Sequence, residues 1–158
     1  MSSLPQLVDD YLAGVQTLRR AVAGMSREQL LARPVSGKWS TLEVVCHLAD
    51  FEPILADRMK RVIAEDRPQL LGADENRFAA ALAYHQRDVE EELTIIERTR
   101  EQMARILRTL PAEAFQRVGV HNERGELSLE RLVTMAANHI PHHVKFIEEK
   151  RKALGLTK

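Results

Sequence analysis

The sequence predicts an all-α protein in which four long helices pack as a bundle. Apolar residues recur at a spacing near 3.6 residues in four long stretches, which is the pattern of amphipathic helices. Aromatic residues make up only 4% of the chain, whereas Ala, Leu, Glu and Arg are abundant, and this composition favours helices over strands. Turn signals separate the stretches. Four such helices bury their apolar faces against one another in a four-helix bundle.

Length and charge limit the classes of function. The 158 residues are expected to form a single domain, 1–158. The 23 basic and 23 acidic side chains balance, so nucleic acid, which needs a clustered positive surface, is not expected as a partner. Cys46 is the only cysteine, which excludes an internal disulfide and favours a small core residue in the reducing cytoplasm. We find no signal-peptide pattern and no apolar run of about 18 residues, so no membrane partner is expected.

The first long helix is expected over about Leu4 to Ala23, with Gly24 as its C-terminal stop. The segment Ser26-Arg27-Glu28-Gln29 matches a capping box and predicts a short helical turn, which Pro34 ends. Trp39 is expected to anchor the next turn on the end of the bundle.

The second long helix is expected to begin at a Ser40 or Thr41 cap and to run to about Ala64. Pro53 lies inside it and removes one backbone hydrogen bond, so a bend is expected near 49–53. The Arg67-Pro68 pair begins a loop.

The third long helix is expected over about Glu75 to Leu110, with Pro111 as its stop. His85 lies on its apolar line, which predicts a hydrogen-bonded core histidine or, alternatively, one that faces a site at the centre of the bundle. Its glutamates resemble the carboxylates of di-iron bundles, but the Glu-x-x-His pairs of that class are absent. These glutamates are therefore expected to form a solvated face: Glu90, Glu91, Glu92, Glu97 and Glu101.

The fourth long helix is expected over Ser128 to Leu154, after a segment, 112–127, with turn signals and a short extended stretch. His139 and His143 fall on its buried face, and His142 falls at the boundary. An i, i+4 pair of histidines can reach one metal ion. The motif is weak because the glutamate of HExxH is missing, so a pair of hydrogen-bonded core histidines remains the alternative.

His47 lies on the second helix in a polar stripe with Glu43 and Asp50. One interpretation is a solvent-facing stripe, which the periodicity favours. The other is the wall of a polar cavity, in which His47 is a metal ligand and Glu43 or Asp50 accepts a hydrogen bond that fixes its tautomer. The residues alone do not decide between the two.

Two blocks of this chain resemble the DinB/YfiT-like superfamily. The first is Gly37-Lys38-Trp39-Ser40 followed by Glu43 and His47-Leu48-Ala49-Asp50, and the second is His139-x-x-His142-His143. The resemblance covers essentially the whole chain. It implies an up-down four-helix bundle in which His47, His139 and His143 hold a divalent metal, nickel or zinc, and it implies a homodimer.

Members of that superfamily include S-transferases and isomerases that use low-molecular-weight thiols. The resemblance therefore implies a small-molecule substrate and a metal-dependent enzyme that activates a thiol or water, of the thiol S-transferase or hydrolase type. Members often have glutamine at the position that Phe146 occupies here, which leaves the specific reaction open. The alternative function is a non-catalytic bundle that is stabilised by metal or serves dimerisation. An open cavity over the metal site would favour the enzyme.

Overall fold

The computed structural model describes residues 3–156 and confirms the all-α four-helix bundle. Within that range, no helix is both long and apolar enough to cross a membrane. The four long helices are α1 (Leu4–Val22), α3 (Thr41–Ala64), α5 (Val89–Arg108) and α6 (Leu129–Ala153), and the two short ones are α2 (Arg27–Leu31) and α4 (Glu75–Ala81).

Serine caps start three of these helices where the sequence predicts. The Ser40 hydroxyl accepts a hydrogen bond from the Glu43 amide at the start of α3, and the Ser128 hydroxyl accepts one from the Arg131 amide at the start of α6. Ser26 forms both hydrogen bonds of a capping box at α2. Each cap satisfies an amide that the helix itself leaves unpaired, so local chemistry sets these boundaries.

The predicted continuous third helix is wrong, because the chain breaks between α4 and α5. Ala83 adopts φ 50°, outside helical geometry, and a 3₁₀ turn follows at Tyr84–Gln86. Asp88 then accepts hydrogen bonds from two amides and caps α5. His85 lies in this break and is exposed, so both predictions for it, as a core histidine or as one facing a central site, are wrong.

One glutamate of the predicted solvated face is buried. Glu92 is 3% exposed and pairs with Arg87, which also pairs with Asp50 at 2.8 Å. A buried carboxylate needs such a partner to offset its desolvation. The prediction of a solvated face is therefore wrong for Glu92, because the break before α5 brings Arg87 over it.

Paired residues also give the direction of the helices. Arg87, at the start of α5, contacts Asp50 of α3, and further along both helices Lys60 donates to Gln102 at 2.7 Å. Residues later in α3 therefore contact residues later in α5, which means that the two helices run in the same direction. The connection 65–88 carries the chain back along the bundle, and this is where the helix order departs from strict up-down alternation.

A small sheet packs on the bundle. The predicted extended stretch in 112–127 is confirmed as β2 (Val118–His121), which forms a hairpin with β3 (Gly125–Ser128), with His121 opposite Gly125. Strand β1 (Gln69–Leu70), which the sequence analysis missed, pairs parallel with β2. The sheet fixes loop 65–74 and the hairpin tip next to α3 and α6.

The centre of the bundle contains a buried polar network. Arg100 and Glu52 are both 0% exposed and form an ion pair at 2.9 Å, and the Tyr11 hydroxyl donates to Glu52 at 2.7 Å. Arg100 also donates to the backbone carbonyls of Tyr11 and Ala136, at 2.5 and 2.8 Å. A Cβ at Gly14 would lie 2.5 Å from the Arg100 guanidinium, so only glycine leaves room for it. The network joins all four long helices.

Candidate metal centre

Three histidines from two helices meet beside the central network. His47 comes from α3, and His139 and His143 come one turn apart from α6. One ring nitrogen from each lies within 4.8 Å of those of the other two. His47 is 1% exposed, so the interpretation of its stripe as solvent-facing is wrong. His142, between the other two on α6, is exposed.

The spacing of these nitrogens fits a shared ion. The Nε2 atoms of His47 and His139 are 3.1 Å apart. Two imidazole nitrogens that each lie about 2.0–2.1 Å from one metal at octahedral or tetrahedral angles are about 2.8–3.4 Å apart. Three imidazoles suit zinc and nickel alike. The residues present therefore fit a divalent metal of this kind.

The three imidazoles are neutral near pH 7. Burial lowers the pKa of His47 to about 4, that of His139 to about 2 and that of His143 to about 3. Part of this lowering at His139 and His143 comes from the positive charge that a neighbouring ring would carry. Each ring thus keeps a lone pair for a metal, because a protonated imidazole cannot be a ligand.

Aromatic rings surround His47. Phe51 packs against it with ring centroids 4.5 Å apart, and Trp39, the predicted anchor of the bundle end, lies 5.4 Å from it. On α6, the rings of Phe146 and His143 pack with their centroids 5.8 Å apart. These side chains restrict the rotation of the imidazoles and keep water from one side of them.

The predicted carboxylate partners of His47 are engaged elsewhere. Glu43 accepts a hydrogen bond from Arg33 at 2.5 Å, and Asp50 accepts one from Arg87 at 2.8 Å. Within residues 3–156 the Nδ1 atom of His47 has no hydrogen-bond partner. The prediction that Glu43 or Asp50 fixes the His47 tautomer is therefore wrong.

Glu75 is a candidate that the sequence analysis missed. Its Oε2 atom lies 3.7 Å from Nε2 of His47, and its side chain is half exposed. Glu75 is the first residue of α4, where an acidic residue is an ordinary helix start. Only the path of loop 65–74 brings it to the histidines, so no local pattern could have identified it.

A cleft of about 1240 Å³ opens beside the histidines. Helices α3, α4 and α6 and the β2–β3 hairpin line it. Its residues are His47, Phe51, Leu55, Arg58, Gly72, Ala73, Asp74, Glu75, Arg77, Phe78, His121, Glu123, Arg124, Arg131, Thr134, Met135, Asn138, His139 and His142. His121, which the sequence analysis does not single out, is buried in this wall. Two of the three candidate metal ligands, His47 and His139, thus line a cleft that a small molecule can enter.

Known proteins share both this sequence pattern and this fold. A family model of the DinB superfamily matches residues 12–147. A protein of Oceanobacillus iheyensis described as a "putative metal-dependent hydrolase" is 31% identical over 137 residues, which cover 85% of this chain and 79% of that protein. YfiT of Bacillus subtilis, described in the same words, is 27% identical over 139 residues, covering 87% and 78%.

Two solved structures agree with the fold. YfiT, reported as "a probable metal-dependent hydrolase with an unusual four-helix bundle topology", superposes with a TM-score of 0.92 at 24% identity, over 99% of this chain and 91% of YfiT. A DinB-family protein of Exiguobacterium sibiricum superposes with a TM-score of 0.67 at 21% identity, over 100% and 96%. The match of the family model to most of the sequence, together with the 31% identity to one relative, shows that this chain belongs to the DinB superfamily.

Proposed function

We propose that the protein is a metal-dependent enzyme whose His47, His139 and His143 hold one divalent ion, zinc or nickel. The observation that carries this proposal is the convergence of three neutral imidazoles next to an open cleft. Three protein ligands with free positions are the layout of catalytic rather than structural sites. A divalent ion held there lowers the pKa of a water or thiol that binds to it.

The reaction we propose is hydrolysis of a small molecule, with transfer to a low-molecular-weight thiol as the second candidate. The description of the relatives as metal-dependent hydrolases supports the first. The size of the cleft supports the second, because about 1240 Å³ exceeds the 300–1,000 Å³ of most small-molecule sites and leaves room for a substrate beside a thiol. A non-catalytic scaffold has no use for an open cleft over its ligands.

The protein's own residues hold the histidine rings in place and accept the proton. His139 and His143 are held on one face of α6, and Phe51 and Trp39 keep the His47 ring in place. We assign Glu75 as the proton acceptor, since its carboxylate lies 3.7 Å from His47 and remains half exposed to the cleft. A carboxylate at that distance reaches a nucleophile bound among the histidines directly or through one water.

Metal content tests the proposed site. Wild-type protein purified without a histidine tag and dialysed with zinc or nickel is expected to hold about one equivalent. Both His47→Ala and His143→Ala are expected to lose it, because removal of one of three ligands weakens binding by at least 10–100-fold, the range already found for supporting residues. Inductively coupled plasma mass spectrometry measures the content per chain.

His142→Ala is the matched control for this experiment. His142 is adjacent to His143 and exposed, so its removal is expected to leave the metal content unchanged. Full metal occupancy in His143→Ala would overturn the assignment of the ligands. No metal in wild-type protein, even after it is soaked with both ions, would overturn the enzyme proposal and favour the scaffold.

Glu75→Gln tests the proton acceptor. The variant is expected to keep one equivalent of zinc and to lose about a hundredfold in the zinc-dependent hydrolysis of para-nitrophenyl acetate, because the amide cannot accept a proton. Steady-state rates at equal zinc content measure the effect. Unchanged rates would exclude this role, and loss of zinc would instead make Glu75 a ligand.

The remaining expectations for the chain are proposals of the same kind. The homodimer that the resemblance implies is tested by light scattering on the eluted peak of a size-exclusion column. The cytoplasmic location and the lack of nucleic-acid and membrane partners stay predictions.

A further inference from the structure

Arg58 is a buried cation in the wall of the cleft. It is only 8% exposed, and within residues 3–156 no carboxylate lies within ion-pair distance of it. One guanidinium nitrogen donates to the Leu71 carbonyl at 2.5 Å, whereas its Nε atom is buried without a hydrogen-bond partner. A buried charge without a counter-charge is costly, so such groups are usually paired.

The surroundings of Arg58 add positive charge. Arg124 of the hairpin and Arg131 of α6 line the same cleft, and the buried His121 lies beside them. Burial lowers the pKa of Arg58, and the nearby charge of Arg124 lowers it further. The charges of Glu123 and Asp57 oppose this lowering of the pKa. The Glu123 carboxyl group packs at Gly72, however, and Asp57 pairs with Arg61.

Arg58 and the histidines are part of one cleft but lie at different positions along the axis of α3. Arg58 lies about three turns after His47 on α3, which corresponds to about 16 Å along the helix axis, and three turns return to nearly the same face. One molecule in the cleft can therefore contact the histidines with one end and Arg58 with the other.

We infer that Arg58, with Arg124 and Arg131, binds an anionic oxygen group of the substrate, a carboxylate or a phosphate. This inference rests on the proposed function, because it names the substrate class of that same cleft. The substrate is then a small anionic molecule that carries its acidic group at one end and its reacting bond at the end near the histidines. Bidentate hydrogen bonds from a guanidinium suit both kinds of anion.

Calorimetric titration of the metal-free protein tests the anion site. Inorganic phosphate and acetate are the two probes, at constant ionic strength, and comparison of their affinities distinguishes a phosphate from a carboxylate site. Wild-type protein is expected to bind at least one of them. Arg58→Gln is expected to raise that Kd by about tenfold or more, the usual worth of a hydrogen bond between charged groups.

Arg61→Gln is the matched control, because Arg61 lies on the same helix, is exposed and pairs with Asp57 outside the cleft. It is expected to leave the affinity unchanged. Arg124→Gln changes an exposed residue of the hairpin tip and so preserves the fold; it is expected to weaken binding by about threefold through the loss of one nearby charge. Equal affinities of wild-type, Arg58→Gln and Arg124→Gln proteins, or no binding of either probe to wild type, would overturn the inference.

A separate variant distinguishes this inference from the proposed metal site. His139→Ala is expected to lose zinc and to keep the anion affinity of the metal-free wild type. Arg58-dependent anion binding to a wild-type protein that has no zinc affinity would keep the inference of an anion site and remove the metal proposal. Zinc binding without any Arg58-dependent anion binding would keep the metal proposal and overturn the inference of an anion site.

Discussion

Glu52→Gln is expected to lower the free energy of unfolding by about 3 kcal/mol or more, because it leaves the Arg100 charge in the core without its carboxylate. Both side chains are fully buried, and the ion pair is 2.9 Å long. The Tyr11 hydroxyl loses a charged acceptor in the same change. Urea denaturation followed by circular dichroism measures the difference as a shift in midpoint at constant slope.

The matched control is Glu90→Gln. Glu90 also pairs with an arginine, Arg19 at 3.1 Å, but its side chain is 69% exposed. Because solvent screens that ion pair, Glu90→Gln is expected to lower the free energy of unfolding by less than about 1 kcal/mol. An equally small loss in Glu52→Gln would mean that the carbonyls of Tyr11 and Ala136 already compensate the Arg100 charge.

The network also supports the candidate metal centre. Arg100 donates to the carbonyl of Ala136, which lies one turn before His139 on α6. The same guanidinium stacks over the Tyr11 ring at 4.5 Å from its centroid, and this contact holds α1 against α5. The helix that carries His139 and His143 is therefore fixed at the level of the site by a buried charge, and loss of that charge is expected to disturb both stability and ligand geometry.

The apolar periodicity and the helix caps were sufficient to predict much of this fold from the sequence. The serine caps at Ser40 and Ser128 placed α3 and α6, because these hydrogen bonds are local. The spacing of His139 and His143 predicted one shared face. For His47 the periodicity failed, since a polar stripe looks the same on a solvated face and on the wall of a cavity. Only the resemblance to the DinB superfamily favoured the cavity.

Other features depend on contacts between distant segments and could not be predicted locally. The apolar spacing continues from Leu82 through His85 to Val89, so the break at Ala83 is not visible as a change of period. Glu75 reaches the cleft only because strand β1 pairs with the hairpin and holds loop 65–74 in place.

Removal of the bound ion with a chelator is expected to lower the melting temperature of the wild-type protein. His47 and His139 are 92 positions apart, so the unfolded chain does not offer the three-histidine site. An ion that binds only the folded state at a thousand times its Kd stabilises it by about 4 kcal/mol, which is about 8–16 °C for a chain of this size. Calorimetric scans with zinc and with chelator measure the shift.

The expected behaviour of His47→Ala separates this linkage from a general effect of the chelator. The variant lacks one ligand, so its melting temperature is expected to be the same in zinc and in chelator, and to lie below that of zinc-loaded wild type. A chelator effect of equal size in both proteins would place the stabilising ion elsewhere. No effect in wild type that holds one equivalent of zinc would mean that the unfolded chain binds it as well, through the neighbouring His139 and His143, and that the contribution of His47 is small.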